Sequence, residues 1–445
     1  MRMTLPENVK KIIEILEANG HEAYAVGGCV RDTLLLREPG DWDVTTSAKP
    51  EEVKELFSHT IDTGIEHGTV TVMMNHVGYE VTTYRIDGEY EDARHPKEVT
   101  FTSNLVEDLK RRDFTINAMA YNESSGLVDE FDGLGDLEKG IIRCVGDPME
   151  RFSEDALRML RAVRFAAQLG FSIEENTKAA IRKLAPTIAK VSVERIAVEL
   201  VKILASNHPE ELRTAYELGL TAVFMPEFDV AMETEQHNIH HMYTVGEHTI
   251  VAMQHVRPEK NIRLIMLLHD LAKPIVKTTD EEGQDHFRGH TQGGADMARQ
   301  ILRRLKFDNA TIDFVARMVK HHDDRPEKPN SIRRMFSAIG LENVPMMLEI
   351  KRADLLGQST YQRESKMAIV DNLEAHYREC VANQTCLQKK DLSVNGSDLI
   401  AMGMKQGKEM GIVIDQLFEA VIENPEMNQR EKLLSLAHKL ITPFI

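Results

Sequence analysis

The chain is short of cysteine and has no cysteine pair. Cys29, Cys144, Cys380 and Cys386 are scattered with no CxxC among them, which argues against a disulfide framework or a cysteine zinc site. No run of 18 apolar residues and no signal-peptide start are present, so a soluble, cytoplasmic protein without membrane association is expected. A basic surplus is missing too: 54 Lys and Arg stand against 71 Asp and Glu, a net charge of −17. That balance counts against a protein that coats nucleic acid nonspecifically, because phosphate binding draws on Lys and Arg. It leaves room for a local basic cleft, and short basic clusters do occur at Lys110-Arg111-Arg112, at Arg158, Arg161 and Arg164, and at Lys389-Lys390. Low-complexity linkers and fixed-period repeats are also lacking.

What is there is enough chain for two to four domains, since single cores stop growing well below 445 residues. Residues 5 to 19 place Leu5, Val9, Ile12, Ile13 and Leu16 at helical spacing before Gly20. Ala23-Tyr24-Ala25-Val26 reads as a strand running into Gly27-Gly28, followed by a helix from Val30 to Leu36 and a strand from Asp41 to Thr46. Residues 69 to 85 alternate around Asn75-His76-Val77-Gly78 and predict a hairpin. From about 148 strand signals nearly vanish and amphipathic helices are expected over 153–169, 174–189, 192–205, 247–256, 261–272, 292–306 and 309–321. The fold class is therefore α+β: a mixed head followed by an all-helical remainder, with pattern changes near 145, 230 and 360.

Asp41-Trp42-Asp43 puts two carboxylates at period 2 on an expected strand, pointing to one side. Such a pair can hold Mg²⁺, which takes carboxylate oxygens together with substrate phosphates. Gly27-Gly28 precedes it, and residues without Cβ let backbone N–H groups approach a triphosphate. Taken in order, Gly27-Gly28-Cys29-Val30-Arg31-Asp32 followed by Asp41-Trp42-Asp43 resembles the signature of the polymerase-beta-like nucleotidyltransferases, specifically the class II branch of CCA-adding enzymes and bacterial poly(A) polymerases. The resemblance continues at Arg111-Arg112-Asp113-Phe114-Thr115-Ile116-Asn117. It implies that Arg112 contacts triphosphate and Asp113 the ribose, with Gly27, Gly28, Arg31, Asn117 and Arg161 in the same nucleotide-binding set.

In Arg151-Phe152-Ser153-Glu154-Asp155-Ala156-Leu157-Arg158, Ser153 reads as an N-cap with acidic residues in the first helical turn. Asp155 and Arg158, one turn apart, can present an acceptor and a forked donor to a base edge. Cytosine and adenine both offer an amino donor beside a ring acceptor, whereas uracil and guanine offer a carbonyl in its place. The resemblance implies this templating part for Glu154, Asp155 and Arg158, with Glu154 orienting Arg158. It further implies that Arg85 to Pro96, including Asp92 and Arg94, is the flexible loop needed for the final AMP step. Ser192-Val193-Glu194-Arg195, with Glu199 and Lys202, resembles the supporting neck motif.

The helical half holds His248, His269-Asp270, His290, His321, His322 and Asp354. This resembles the HD phosphohydrolase pattern, which implies His248, His269, Asp270 and Asp354 as ligands of a mixed N/O site suited to a transition metal. The expected division is 1–145 nucleotidyltransferase head, 146–230 helical neck with base recognition, 231–360 HD-type domain and 361–445 helical tail with tRNA-binding capacity. The implied activity is addition of C, C and A to a tRNA 3′ end from CTP and ATP, with hydrolysis of cyclic or 2′-phosphate ends at the second site. Rival readings are a poly(A) polymerase, against which the absence of a basic tail counts, an A-only enzyme, and an HD phosphohydrolase with a nucleotide-sensing head. Oligomeric state is left open.

Overall fold

A computed structural model describes residues 3–88 and 99–442. The chain forms two compact units, Met1–Pro226 and Glu227–Ile445. The loop residues Asp92 and Arg94 lie outside the described residues.

The first unit is built on a mixed sheet of seven strands: β1 (Ala23–Val26), β2 (Asp43–Thr46), β3 (Thr60–Gly64), β4 (Thr69–Met74), β5 (Val77–Thr83), β8 (Ala120–Asn122) and β9 (Gly126–Val128), with a separate ribbon of β6 (Arg85–Asp87) and β7 (Val99–Phe101). The spatial order is β3-β4-β5-β2-β1-β8-β9, and only the β2–β5 pair in this sheet is parallel. The expected hairpin forms between β4 and β5, where Asn75 and His76 both have positive φ (51° and 65°), as a two-residue turn matched to strand twist requires. Helix α1 (Glu7–Ala18) buries Val9, Ile12, Ile13 and Leu16 against β1 and α3 (Pro50–Leu56). Burial of each such side chain stabilises by roughly 1.5–3 kcal/mol.

Register carries the chemistry. Val26 pairs with Asp43 across β1–β2, Asp43 with Glu80 across β2–β5, and Val26 with Ala120 across β1–β8. The end of β1, the start of β2 and the residues preceding β8 therefore meet at one edge. Helix α2 (Gly28–Leu34) leaves that edge through Gly27, whose φ of 82° is in the region glycine tolerates. After α4 (Leu105–Lys110) and α5 (Gly133–Lys139), the helices α6 (Pro148–Glu154), α7 (Leu157–Leu169), α8 (Glu175–Leu184) and α9 (Val193–Leu204) complete the unit's core.

One expectation fails here. The helix over 153–169 is two helices, broken at Asp155, which is extended (φ −137°, ψ 104°). Ser153 is in the last turn of α6, its hydroxyl donating to the Met149 carbonyl at 2.7 Å, so it caps nothing. The N-cap is Asp147, which accepts from Met149 N–H, with Pro148 at the first helical position. Asp155 accepts the N–H of Leu157 at 3.0 Å, the local bond by which Asp competes with continuing helix.

The second unit is helical apart from the short pair Thr278–Thr279 and Asp285–His286. Helices Val245–Met253, Lys260–Leu268, Asn309–His321 and Val344–Gly357 pack on one another, and His290–Arg304 lies along Asn309–His321. A separate apolar cluster around Leu399, Val413, Leu417, Val421 and Leu433 serves the C-terminal helices. All four cysteines are buried and unpaired. No helix of the described residues is long and apolar enough to cross a membrane.

Candidate active site and a buried histidine cluster

A cleft of about 670 Å³ in the first unit brings together Gly27, Gly28, Arg31, Asp41, Asp43, Arg112, Asp113, Asn117, Asp155, Arg158 and Arg161. Every transferase residue expected from the sequence lines it except Glu154, which stands behind Arg158, and the two loop residues. Asp43 opens β2, and Asp41 lies two residues before it, outside the strand expected over Asp41 to Thr46. Burial, then the charges of Asp41 and Glu80, push the Asp43 carboxyl up to about 6 against the pull of Arg112. Glu80 was not visible as a site residue in the sequence; only the parallel register of β2 and β5 places it beside Asp43.

The arginines are held from behind by carboxylates. Asp108, fully buried, accepts from Arg111 Nε and Nη2 at 3.0 and 2.8 Å and lies 3.5 Å from Arg112 Nη2. Gly27 makes room for Arg112: a Cβ there would stand 2.9 Å from its Nη1. Arg31 donates to Asn117 Oδ1 at 2.7 Å, and Asn117 in turn donates to Asp113 Oδ1 at 3.1 Å. Asp113 Oδ1 also accepts Phe114 N–H, while Oδ2 takes Nε and Nη2 of Arg161 at 2.8 and 2.5 Å. A carboxylate has about four acceptor positions, and these four donors fill them. The expected ribose contact by Asp113 therefore requires one of them to leave, and its observed work is to fix Arg161 and, through Asn117, Arg31. Burial would raise this carboxyl, but Arg161 and Asn117 hold it down at about 2. Phe165 was also missed: its ring lies 5.0, 5.7 and 4.1 Å from the guanidinium carbons of Arg31, Arg161 and Arg164, a cation–π platform beneath three charges. Arg164 pairs with buried Glu199 of the neck motif at 3.1 Å.

The break at Asp155 revises the geometry expected of Asp155 and Arg158. Asp155 and Arg158 do not share one helical face; they flank the junction between α6 and α7 and reach the same cleft from there. Arg158 Nη1 donates to Glu154 Oε2 at 2.6 Å and to the Arg151 carbonyl at 3.1 Å, and its Nη2 to the Arg111 carbonyl at 3.1 Å. Asp155 Oδ2 accepts from Arg195 at 2.8 Å. The neck residue Arg195 thus orients a cleft carboxylate, a pairing 40 residues apart in sequence.

In the second unit His248, His269, Asp270 and Asp354 converge with ligand atoms within 4.8 Å of one another. His248 Nε2 is 2.9 Å from Asp354 Oδ1 and 3.4 Å from Asp270 Oδ2; His269 Nε2 is 3.3 Å from Asp270 Oδ2. Burial works against a charged His269, yet Asp270 and Asp354 outweigh it and lift the imidazole to about 10. His321 turns away and contacts Asp324.

Three family models match the chain: a poly A polymerase head domain over residues 23–143, a probable RNA and SrmB-binding site of polymerase A over 170–232, and a putative tRNA nucleotidyltransferase domain 2 over 287–437. The CCA-adding enzyme of Lactiplantibacillus plantarum is 37% identical over 96% of this chain and 95% of its own length. That of Enterococcus faecalis is 36% identical over 98% and 97%. Among solved structures, the Bacillus stearothermophilus CCA-adding enzyme in complex with CTP superposes with a TM-score of 0.72 at 30% identity, covering 98% of both chains. With this identity sustained along nearly the whole length, the chain belongs to the family of CCA-adding enzymes.

Proposed function

We propose that this chain adds C, C and A to the 3′ end of tRNA, selecting CTP and ATP without a nucleic-acid template. The observation that carries the reading is the single cleft in which Asp41 and Asp43, the anchored arginines, and the Asp155–Arg158 junction all open. Asp41 and Asp43 would hold Mg²⁺: their oxygens are hard donors, and Asp43 is raised first by burial and then by the charge of Asp41, both of which disfavour a bare carboxylate and are offset by a divalent cation. Bound there, Mg²⁺ supplies activation of the attacking hydroxyl and neutralisation of the departing pyrophosphate. Arg112 and Arg31 take triphosphate oxygens, bidentate pairing being the guanidinium's strength. Asp155 accepts from the amino group of cytosine or adenine and Arg158 donates to the neighbouring ring acceptor. Single-turnover extension of truncated tRNAs with labelled CTP and ATP tests the assignment. CCA is expected; A alone, a poly(A) tract, or no extension overturns it.

A second reading concerns the buried cluster. We assign His248, His269, Asp270 and Asp354 to a transition-metal site of HD type, on the ground that four ligands, two imidazoles and two carboxylates, converge in the core. A metal there supplies Lewis-acid chemistry for hydrolysis of 2′,3′-cyclic phosphate or 2′-phosphate ends. Changing His269 and Asp270 together to Ala should abolish metal-dependent phosphohydrolysis and spare nucleotide addition; loss of CMP addition in the folded variant would refute two independent sites.

A further inference from the structure

Arg161, Arg164, Phe165 and Gln168 fall on one face of α7 by their helical spacing, and all four line the cleft of the first unit. Phe165 is 5% exposed, and its ring meets that of buried Phe114 edge-on, the centroids 5.7 Å apart at 80°. Around it stand three guanidinium groups, their central carbons 4.1 Å (Arg164), 5.0 Å (Arg31) and 5.7 Å (Arg161) from the ring centre. Leucine would fill this space as well if packing were the whole requirement. Three cations beside an aliphatic side chain, however, would lose hydration and repel one another, whereas an aromatic face attracts them through its quadrupole.

Each arginine also has an acid of its own, on a different segment. Arg31 donates Nε and Nη2 to Asp32 and Nη1 to Asn117, and Arg161 donates Nε and Nη2 to Asp113. Arg164 Nε lies 3.1 Å from Glu199 Oε2, a contact of charges in which Nε, among the described residues, makes no hydrogen bond. Burial holds the Arg164 guanidinium below its usual range, opposed by Glu199 and reinforced by Arg161 and Arg31. Phe165 is a contact that all three arginines have in common. A carboxylate takes N–H donors out of use and cancels a charge, and a ring does neither. The bonds to Asp32, Asn117 and Asp113 use only part of the donor set of Arg31 and Arg161.

We propose that Phe165 is a positioning residue for nucleotide binding: its ring gathers Arg31, Arg161 and Arg164 into a cationic group oriented before the triphosphate arrives, and leaves their remaining N–H donors to phosphate oxygens. The inference rests on the reading of this cleft as the CTP and ATP site and adds a residue that acts through the arginines. Arginines left to spread apart must be collected again at each binding event, at a cost in affinity. Because the ring acts on phosphate binding, its contribution is equal for CTP and ATP and separate from the base selection assigned to Asp155 and Arg158.

The test replaces Phe165 in the full-length chain by mono-, di- and trifluorinated phenylalanine, introduced by nonsense-codon suppression. Fluorine drains the ring's negative face in steps and changes its size little, so packing is kept while the attraction for cations falls. Kd for CTP and for ATP is measured by calorimetry with Mg²⁺ and without tRNA, and Tm by circular dichroism. Both Kd values should rise stepwise by a common factor, reaching about tenfold for the trifluorinated ring, and Phe165→Leu should lose at least as much. Kd values that do not change across the series, whether Tm falls or holds, show that the ring only packs; they overturn the proposal and leave the nucleotide site standing. A rise confined to one nucleotide overturns it equally. Failure of the unmodified chain to bind CTP or ATP overturns the nucleotide site and this inference with it. Should Phe165→Leu not fold, the fluorinated series decides alone.

Discussion

Changing Asp155 to Asn alters one atom's hydrogen-bonding sense at the point proposed to read the base. The carboxylate accepts from Leu157 N–H through Oδ1 and from Arg195 through Oδ2, two of about four acceptor positions. Among the described residues this leaves acceptor capacity for the amino group of cytosine or adenine. An Asn oxygen can keep one existing bond while its NH₂ now donates, favouring the carbonyl of uracil or guanine. Each polar base contact is worth roughly 1–3 kcal/mol of discrimination, and about 1.4 kcal/mol is tenfold. Preference for CTP and ATP over UTP and GTP should fall by about one to two orders of magnitude. Asp155→Ala should show the same fall without the gain for UTP, and at a stability cost of about 1 kcal/mol for the lost local cap. Arg195→Ala, which touches no nucleotide, should loosen the carboxylate and reduce selectivity by a smaller factor. The assay is kcat/KM for all four nucleoside triphosphates on a tRNA lacking its terminal residues, with Tm measured alongside. Unchanged selectivity with equal, non-additive losses of Tm in the Asp155 and Arg195 variants would show that the pair only braces α6 against α9, and the templating argument would fall.

Asp41→Ala and Asp43→Ala should each cut CMP and AMP transfer by several orders of magnitude while tRNA binding, measured by filter retention, is kept; near-normal turnover in either refutes the metal assignment. Asp113 contributes to the acid limb of the stability curve: its carboxyl, held at about 2, lies below an ordinary 3.8, so its stabilisation is complete above about 4 and is lost as pH falls through about 2. At 1.36 kcal/mol per unit that is about 2 kcal/mol, and chemical denaturation of Asp113→Asn between pH 5 and 2 should show a correspondingly flatter loss. Asp108→Asn removes a negative charge behind the proposed triphosphate site yet frees Arg111 and Arg112 from their anchor; Kd for CTP and ATP should rise about tenfold, a loss of about 1.4 kcal/mol, and tighter binding would contradict the anchoring account.

The order Gly27-Gly28, Asp41-Trp42-Asp43, Arg112-Asp113 was legible because each element is local and strand and turn chemistry have short periods. What the sequence hid is set by register and by distant pairing. Glu80 reaches Asp43 only through a parallel pairing of strands 37 positions apart. Arg195 finds Asp155 across a helix junction, and Asp108 is one of many acidic residues on amphipathic helices until burial singles it out. The helix break at Asp155 was missed because Asp suits a first turn and a cap equally, and Ser153 was taken as the N-cap where Asp147 holds that position. His290 and His322 were visible as residues, but spacing carries no information on which of eighteen histidines the fold brings beside Asp270.

An acidic chain that handles triphosphates poses an apparent conflict, and the cleft resolves it through the positions of its carboxylates. Asp108, Asp113, Glu154 and Glu199 pair with Arg111, Arg161, Arg158 and Arg164 respectively, and of these four acids only Asp113 lines the cleft. Each such acid subtracts a charge from the whole and fixes a donor's direction. An anchored guanidinium has already lost its rotamer freedom, so little of the binding energy is spent on ordering it. Field strength at the ligand depends on the nearest charges in a partly dry cleft far more than on net charge spread over the surface and screened within about 10 Å. The formal −17 is therefore compatible with a site for polyanions, and part of it is the means by which that site is kept rigid.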